Sequence, residues 1–228
     1  MPEIRRETLR WVRPPQQVRS QQTLDRLLDA AESLVAAKGF EDTSVAEIAQ
    51  RAHSSVGAFY ARFRDKDALL FALYDRYLEQ AMATTDDALD PVRWEGAGVE
   101  RILASVLRFL VAVFREQAGL VRAFVRRNQI DPEFRAREER LSHYVSRKLC
   151  ALLLARKDEI THPDPERAAA FGLTMAFSTI ESTVLFGETR SGALALSDEE
   201  LAAELTRAYL AYLGVPSTPR APAPPAES

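Results

Sequence analysis

Apolar residues recur at helical spacing along almost the whole chain. Leu24, Leu27, Leu28, Ala31, Leu34 and Val35 follow the i, i+3, i+4, i+7 spacing of an amphipathic helix. Gly39 stands where such a helix is commonly closed by a left-handed residue. Ser44, with Glu47 three residues on, predicts a capping box and a short second helix, and another short helix begins near Ser55. Asp65 then caps a longer helix carrying Leu69, Leu70, Leu73, Tyr77 and Leu78. Asp90-Pro91, Gly96 and Gly98 mark a loop. Beyond it Val99, Ile102, Leu103, Val106, Leu110, Val113 and Phe114 make one stripe, while Leu107, Phe109 and Val111 fill the other side. A helix apolar nearly all round is expected inside a bundle that wraps it. A short helix over about 119–128 follows, and Asp131-Pro132 and Asp164-Pro165 each open a long one. Ser197 and Glu200 form a last capping box, ahead of Leu201, Leu205, Ala208 and Tyr212. No stretch alternates with the period of a strand. The prediction is an all-α chain of about nine helices, with three short-to-medium ones leading into a larger bundle.

Composition narrows the class. With 228 residues and 46% hydrophobic side chains the chain can build a real core. Residues 109–114, among the longest unbroken apolar runs, fall far short of the roughly 18 residues needed to span a bilayer. The start, Met-Pro-Glu-Ile-Arg-Arg, lacks the apolar core of a secretory signal, so a cytoplasmic protein without a membrane role is expected. One Cys excludes an intramolecular disulfide and a multi-Cys zinc site, and the three His share no ligand-like spacing, so no metal site or cofactor is expected. The net charge of −3 hides an asymmetry: residues 1–66 hold 11 Lys and Arg against 9 Asp and Glu. Five arginines fall in the first 19 residues, an arm with Trp11 among them, whereas the end from Pro216 on holds five of the 12 prolines and reads as a disordered tail. Basic excess at the N-terminal end is where a phosphate-binding surface would want it, although a solvated charge run looks the same.

The segment 43–66 is more specific. Val45, Ile48, Ala49 and Ala52 give the first short helix a buried side, and Phe59 and Phe63 do so for the second. The second helix starts with Ser54 and Ser55, carries small residues outside (Gly57, Ala58), and ends in Tyr60 and Arg62 with Lys66 just beyond. A helix-turn-helix needs those properties. Its second helix brings N-terminal residues to base edges, so small side chains permit approach, and hydroxyls and cations at the rim hold phosphates.

Gly39-Phe40, Thr43-Ser44-Val45, Ile48-Ala49, Ser55, Gly57, Phe59-Tyr60, Phe63, Lys66 and Leu69 fall in register with one family pattern without a gap. On these residues the segment of about 20–80 resembles the TetR (tetracycline-repressor) family of bacterial transcription regulators. The resemblance implies a helix-turn-helix domain over 20–80, a ligand-binding and dimerisation domain over 81–215, a homodimer and a palindromic operator in double-stranded DNA. By position, Thr43, Ser44, Tyr60, Arg62 and Lys66 would bind phosphate, while Ser55, Val56 and Ala58 would face bases beside Gly57, and Val45 would add to specificity. Val56 and Ala58 can touch a thymine methyl but make no bidentate hydrogen bond. The arm either enters the minor groove, as basic arms do, or is a disordered tail. His53 replaces the family's usual turn Gly and Ser54 its usual Val, and Ala61-Arg62 replaces an aromatic or His pair. His tolerates left-handed backbone better than most residues, so the turn can survive.

Other candidates carry two readings each. Cys150 is a core or pocket residue rather than a nucleophile, because a buried thiol in apolar surroundings is inert. His143, Tyr144 and Arg147 share a patch of one helix and serve either as polar anchors in a pocket or as a solvated face. Trp94, Phe109, Phe114, Phe124, Met175 and Phe177 are core residues first and ligand-lining residues second. Glu181, alone within the apolar stretch 180–186, is expected to meet a partner across an interface or in the pocket. Leu173, Ile180 and Val184, with Leu201, Leu205, Ala208 and Tyr212 of the last helix, would build the dimer interface, unless they pack within the chain. No catalytic constellation appears, so the chain is not expected to be an enzyme. The expected function is a repressor released from DNA by a small, mostly apolar effector. An activator or ligand-independent regulator fits the same residues, and more remotely a small-molecule-binding protein or enzyme with a vestigial helix-turn-helix.

Overall fold

The computed structural model describes residues 18–186 and 196–216. The basic arm and the Pro-rich tail therefore lie, but for their inner edges, outside the described residues. Within these, nine α-helices and no strand occur: α1 (Val18–Lys38), α2 (Val45–Arg51), α3 (Val56–Tyr60), α4 (Lys66–Ala88), α5 (Val99–Glu116), α6 (Ala118–Ile130), α7 (Pro132–Leu154), α8 (Pro165–Phe186) and α9 (Asp198–Leu213).

The predicted stops and starts are made by the side chains that suggest them. Gly39 takes φ +88° after α1, a conformation without penalty only for Gly. Ser44 and Glu47 close a reciprocal capping box on α2, and Ser197 and Glu200 do the same on α9. Asp65 accepts from the Ala68 amide at the head of α4, and Asp131 from those of Glu133 and Phe134 at the head of α7. His53 stands at φ +48° in the turn between α2 and α3, so the turn keeps its left-handed residue without the usual Gly.

Three apolar clusters hold the helices together. The first joins α1–α4 to Leu120, Ala123 and Phe124 of α6 and Phe134 of α7, so the helix-turn-helix and the bundle share one core. The second packs α5 against α7, α8 and α9 and includes the half-buried Trp94, whose Nε1–H donates to the Ala88 carbonyl at 2.7 Å. The third closes the other end of α5 against α6, α8 and α9.

Two expectations about helix faces are corrected here. The first concerns α5, which is not enclosed on every side: Arg101, Arg108 and Arg115 face solvent, Phe109 is 43% exposed, and Leu110 and Val113 turn toward a cavity. The second concerns the apolar stripe Leu173, Ile180, Val184 and Leu201, which points inward and is at most 3% exposed within one chain. It fills the second and third clusters and leaves nothing for a partner. The outer face of α8 carries Ala170, Phe171, Thr174 and Ser178 instead, and that of α9 carries Ala208 and Ala211 beside the exposed Glu204–Arg207 pair, with Tyr212 half-buried against the Phe171 ring at 5.4 Å. No charge occurs between Ala168 and Ile180, so the stretch Pro165–Leu185 is long and apolar enough to cross a membrane by length and composition, while its inner side, with Leu173, Ile180 and Val184, is buried within the chain.

Candidate functional site

Helix α3 is one and a half turns long and is held from below. Phe59 is fully buried and meets Phe63 at 5.1 Å, fixing the helix on α2 and the first core. At its head the Ser55 hydroxyl accepts from the Ala58 amide at 3.0 Å, and at its foot Arg62 donates to the Ala58 carbonyl at 2.9 Å. The outward face then consists of Ser55, Val56 at 42% exposure, Gly57 and Tyr60 at 50% exposure, with Ala58 partly covered. This is a small-residue surface with one aromatic hydroxyl at its end.

Several residues expected at this surface have other work. Thr43 is 1% exposed and donates its hydroxyl to the Gly39 carbonyl at 2.8 Å, so its phosphate role is corrected to that of a loop tie. Lys66 directs its ammonium at the carbonyls of Phe40, Glu41 and Thr43 at 2.9, 3.3 and 3.2 Å, 4.4 Å from the Phe40 ring centroid. Three donors thus meet three acceptors, and Lys66 clamps the loop entering α2 instead of presenting a free cation. The Ser44 hydroxyl is engaged by Glu47 at 2.7 Å, and Glu47 pairs with Lys38 at 2.6 Å. The Lys38 and Ser44 hydrogen bonds pull the Glu47 pKa down to about 2. Val45 is partly buried against the first core.

A cavity of about 470 Å³ lies between α4, α5, α6, α7 and α8. Of the expected pocket residues, Phe109, Phe114, Phe124 and Phe177 line it, and so does Glu181. His143, Tyr144, Arg147, Cys150 and Met175 do not, and that expectation is corrected. The face of α7 turned to the cavity carries Glu138, Leu141, Ser142 and Val145. His143 and Arg147 are exposed, and Tyr144 is tied to Asp86 of α4, which also pairs with Lys148 at 2.8 Å. Cys150 packs against the second core with Ser146 at 3.8 Å, and burial raises its thiol pKa. A second recess of about 540 Å³ faces the loop after α1; its rim mixes Lys38, Arg122 and Arg126 with Glu41 and Asp42.

Burial, and then the like charge of Glu138, push Glu181 up to about 7 from its ordinary 4.5. A carboxyl raised in the folded state supports the fold fully below pH 4.5 and loses that support as the pH rises through about 7. Glu181→Gln, neutral at every pH, should therefore melt near the parent at pH 5 and above it at pH 8. Thermal denaturation at both values checks this; a difference that does not widen with pH contradicts it.

The model of bacterial regulatory proteins of the tetR family matches residues 27–73, and that of the tetracyclin repressor-like C-terminal domain matches residues 100–213, half of the chain. The chain belongs to the TetR family. Among curated relatives, the HTH-type transcriptional regulator YerO of Bacillus subtilis (strain 168) is 38% identical over 58 residues, which is 25% of this chain and 20% of that protein. Only about a fifth of that relative's length is thus matched. A transcriptional regulator from Rhodococcus sp. Rha1 superposes with a TM-score of 0.64 at 26% identity, covering 86% of this chain and 99% of that one. A TetR transcription regulator from Haloarcula marismortui ATCC 43049 gives 0.64 at 22% identity, over 86% and 97% of the two chains. This TetR-family chain is accordingly a DNA-binding transcriptional regulator.

Proposed function

We propose that this TetR-family regulator is a homodimeric repressor that holds a palindromic operator and leaves it when a small, mostly apolar molecule fills the cavity. The observation that carries the reading is the outward face of α3, small and uncharged and anchored by the buried Phe59. Ser55, Val56, Gly57 and Ala58 would lie against base edges, where Val56 meets a thymine methyl by apolar contact. Tyr60 would hold phosphate at the end of the helix. The uncharged part of the outer face of α8, from Ala170 to Ser178, and the alanines of α9 support a two-fold helical interface. Such a dimer places two α3 helices about 34–36 Å apart on successive major grooves.

Release follows from shared structure. Tyr74 and Tyr77 of α4 line the cavity, while Lys66 at the head of the same helix clamps the loop into α2. A molecule that fits the cavity better with α4 displaced would favour a spacing that no longer matches DNA, and its leverage is limited to that difference in affinity.

Fragments of the host genome bound by the full-length protein should share a near-palindromic site. On that site Tyr60→Ala should weaken binding to every sequence alike by about 1 kcal/mol, whereas Val56→Ala should change the preference at one base pair per half-site. Fluorescence anisotropy with matched and substituted duplexes separates the two, and an unchanged base preference in the Val56 variant contradicts the assigned geometry.

A further inference from the structure

The cavity wall carries two carboxyl groups, Glu138 from α7 and Glu181 from α8, and no Lys, Arg or His. Among the described residues neither carboxyl has a hydrogen-bond or ion-pair partner. Both have pKa values raised by burial, and Glu138 raises that of Glu181 further. The buried wall atoms that lack a partner, Gln117 Oε1 and Asn128 Oδ1, are again acceptors. Around them stand six aromatic rings, Tyr74, Tyr77, Phe109, Phe114, Phe124 and Phe177.

These features discriminate among occupants. An anion would enter an aromatic chamber facing two carboxyls, with no cation to receive it. A neutral hydrocarbon would cover two carboxyls that have nothing to pair with, at a cost for each charge so enclosed. A cation with apolar bulk meets both demands, since its charge pairs with the carboxyls and lies against ring faces, whose quadrupoles attract it. Resting on the reading of this cavity as the effector site, we infer that its ligand is an amphiphilic organic cation whose charge is held by Glu138 and Glu181 among the aromatic rings.

A proton accompanies the binding. Facing Glu181 are Glu138 from α7 and the phenols of Tyr74 and Tyr77 from α4, while α5 and α6 contribute no charged side chain to the wall. A permanent cation beside Glu181 favours the carboxylate, so the acid form gives up its proton to solvent on binding. Affinity for such a cation therefore falls as the pH drops from 8 to 6.

Tetraphenylphosphonium and tetraphenylborate have nearly the same size and shape and opposite charge. Calorimetric titration of the full-length protein with each, at pH 8, tests the inference. The phosphonium should bind saturably and about tenfold or more tightly than the borate. The Glu138→Gln/Glu181→Gln variant, checked for folding by its thermal melt, should lose that preference. Weaker phosphonium binding at pH 6 supports the proton linkage. Equal or tighter binding of the borate, binding of neither ion, or an unchanged preference in the variant overturns the inference. Phosphonium binding that leaves the operator complex intact supports the cation site and counts against release through this cavity, so the two claims fail separately.

Discussion

Arg137→Leu should destabilise the protein by about 3–5 kcal/mol, a large share of the 5–15 kcal/mol that typically holds a domain together. Arg137 sits on α7 with its side chain 3% exposed, and its Nε–H donates to Asp75 Oδ1 of α4 at 3.0 Å, where Asp75 is 6% exposed. It also donates to the Glu133 carbonyl at 3.2 Å and lies over the Phe71 ring at 5.4 Å. Leucine in its place fills some of the volume but leaves the Asp75 charge enclosed. Removing both charges together, as Asp75→Leu/Arg137→Leu, should recover most of the loss, because a buried pair is costly chiefly when only one partner remains. Urea denaturation of the two variants checks this. A double variant as unstable as the single one would place the loss in packing, not in the enclosed Asp75 charge.

Gly119→Ala should cost about 1–3 kcal/mol and weaken operator binding together with the fold. A Cβ on Gly119 of α6 would come within 2.5 Å of the Val35 carbonyl oxygen and 2.6 Å of the Ala36 Cα, near the end of α1. Both obstacles are backbone, so no rotamer change relieves them, and α1 must move away from α6. Since α1 leads through Gly39 into the loop held by Lys66, the displacement reaches α2 and α3. Thermal melts and duplex binding at matched folded fraction measure the two effects. Parent-like values for both would show that α1 moves freely over α6, contrary to the shared core.

What the sequence makes legible is what the chain settles locally. Caps such as Ser44 with Glu47, Asp65, Asp131 and Ser197 with Glu200 act within one turn, so their spacing suffices to find them. The register of Phe59, Tyr60 and Phe63 likewise separates a buried ring from an exposed one within five residues. The rotation of a helix about its axis is another matter, because neighbours far away in sequence set it. On α7 the more conspicuous polar patch in the sequence is His143, Tyr144 and Arg147, yet the cavity takes Glu138, Leu141, Ser142 and Val145. Glu138 sits in a charged run beside Arg137 and Glu139, where nothing distinguishes the one carboxyl that turns inward. Glu181 is legible from the sequence, as a lone acid in an apolar stretch. Lys66 shows the opposite failure: its position matches the family pattern, but its hydrogen bonds to carbonyls 23 to 26 residues away follow from the fold alone.

The central claim, that α3 reads DNA sequence, is tested most directly by equilibrium binding of the full-length protein to its selected palindrome and to a scrambled duplex over a salt series. The account predicts that both affinities fall as salt rises, since phosphate contacts contribute to each, while the preference for the palindrome persists. Equal binding to both duplexes, vanishing together with salt, would leave only attraction between charges and would contradict it.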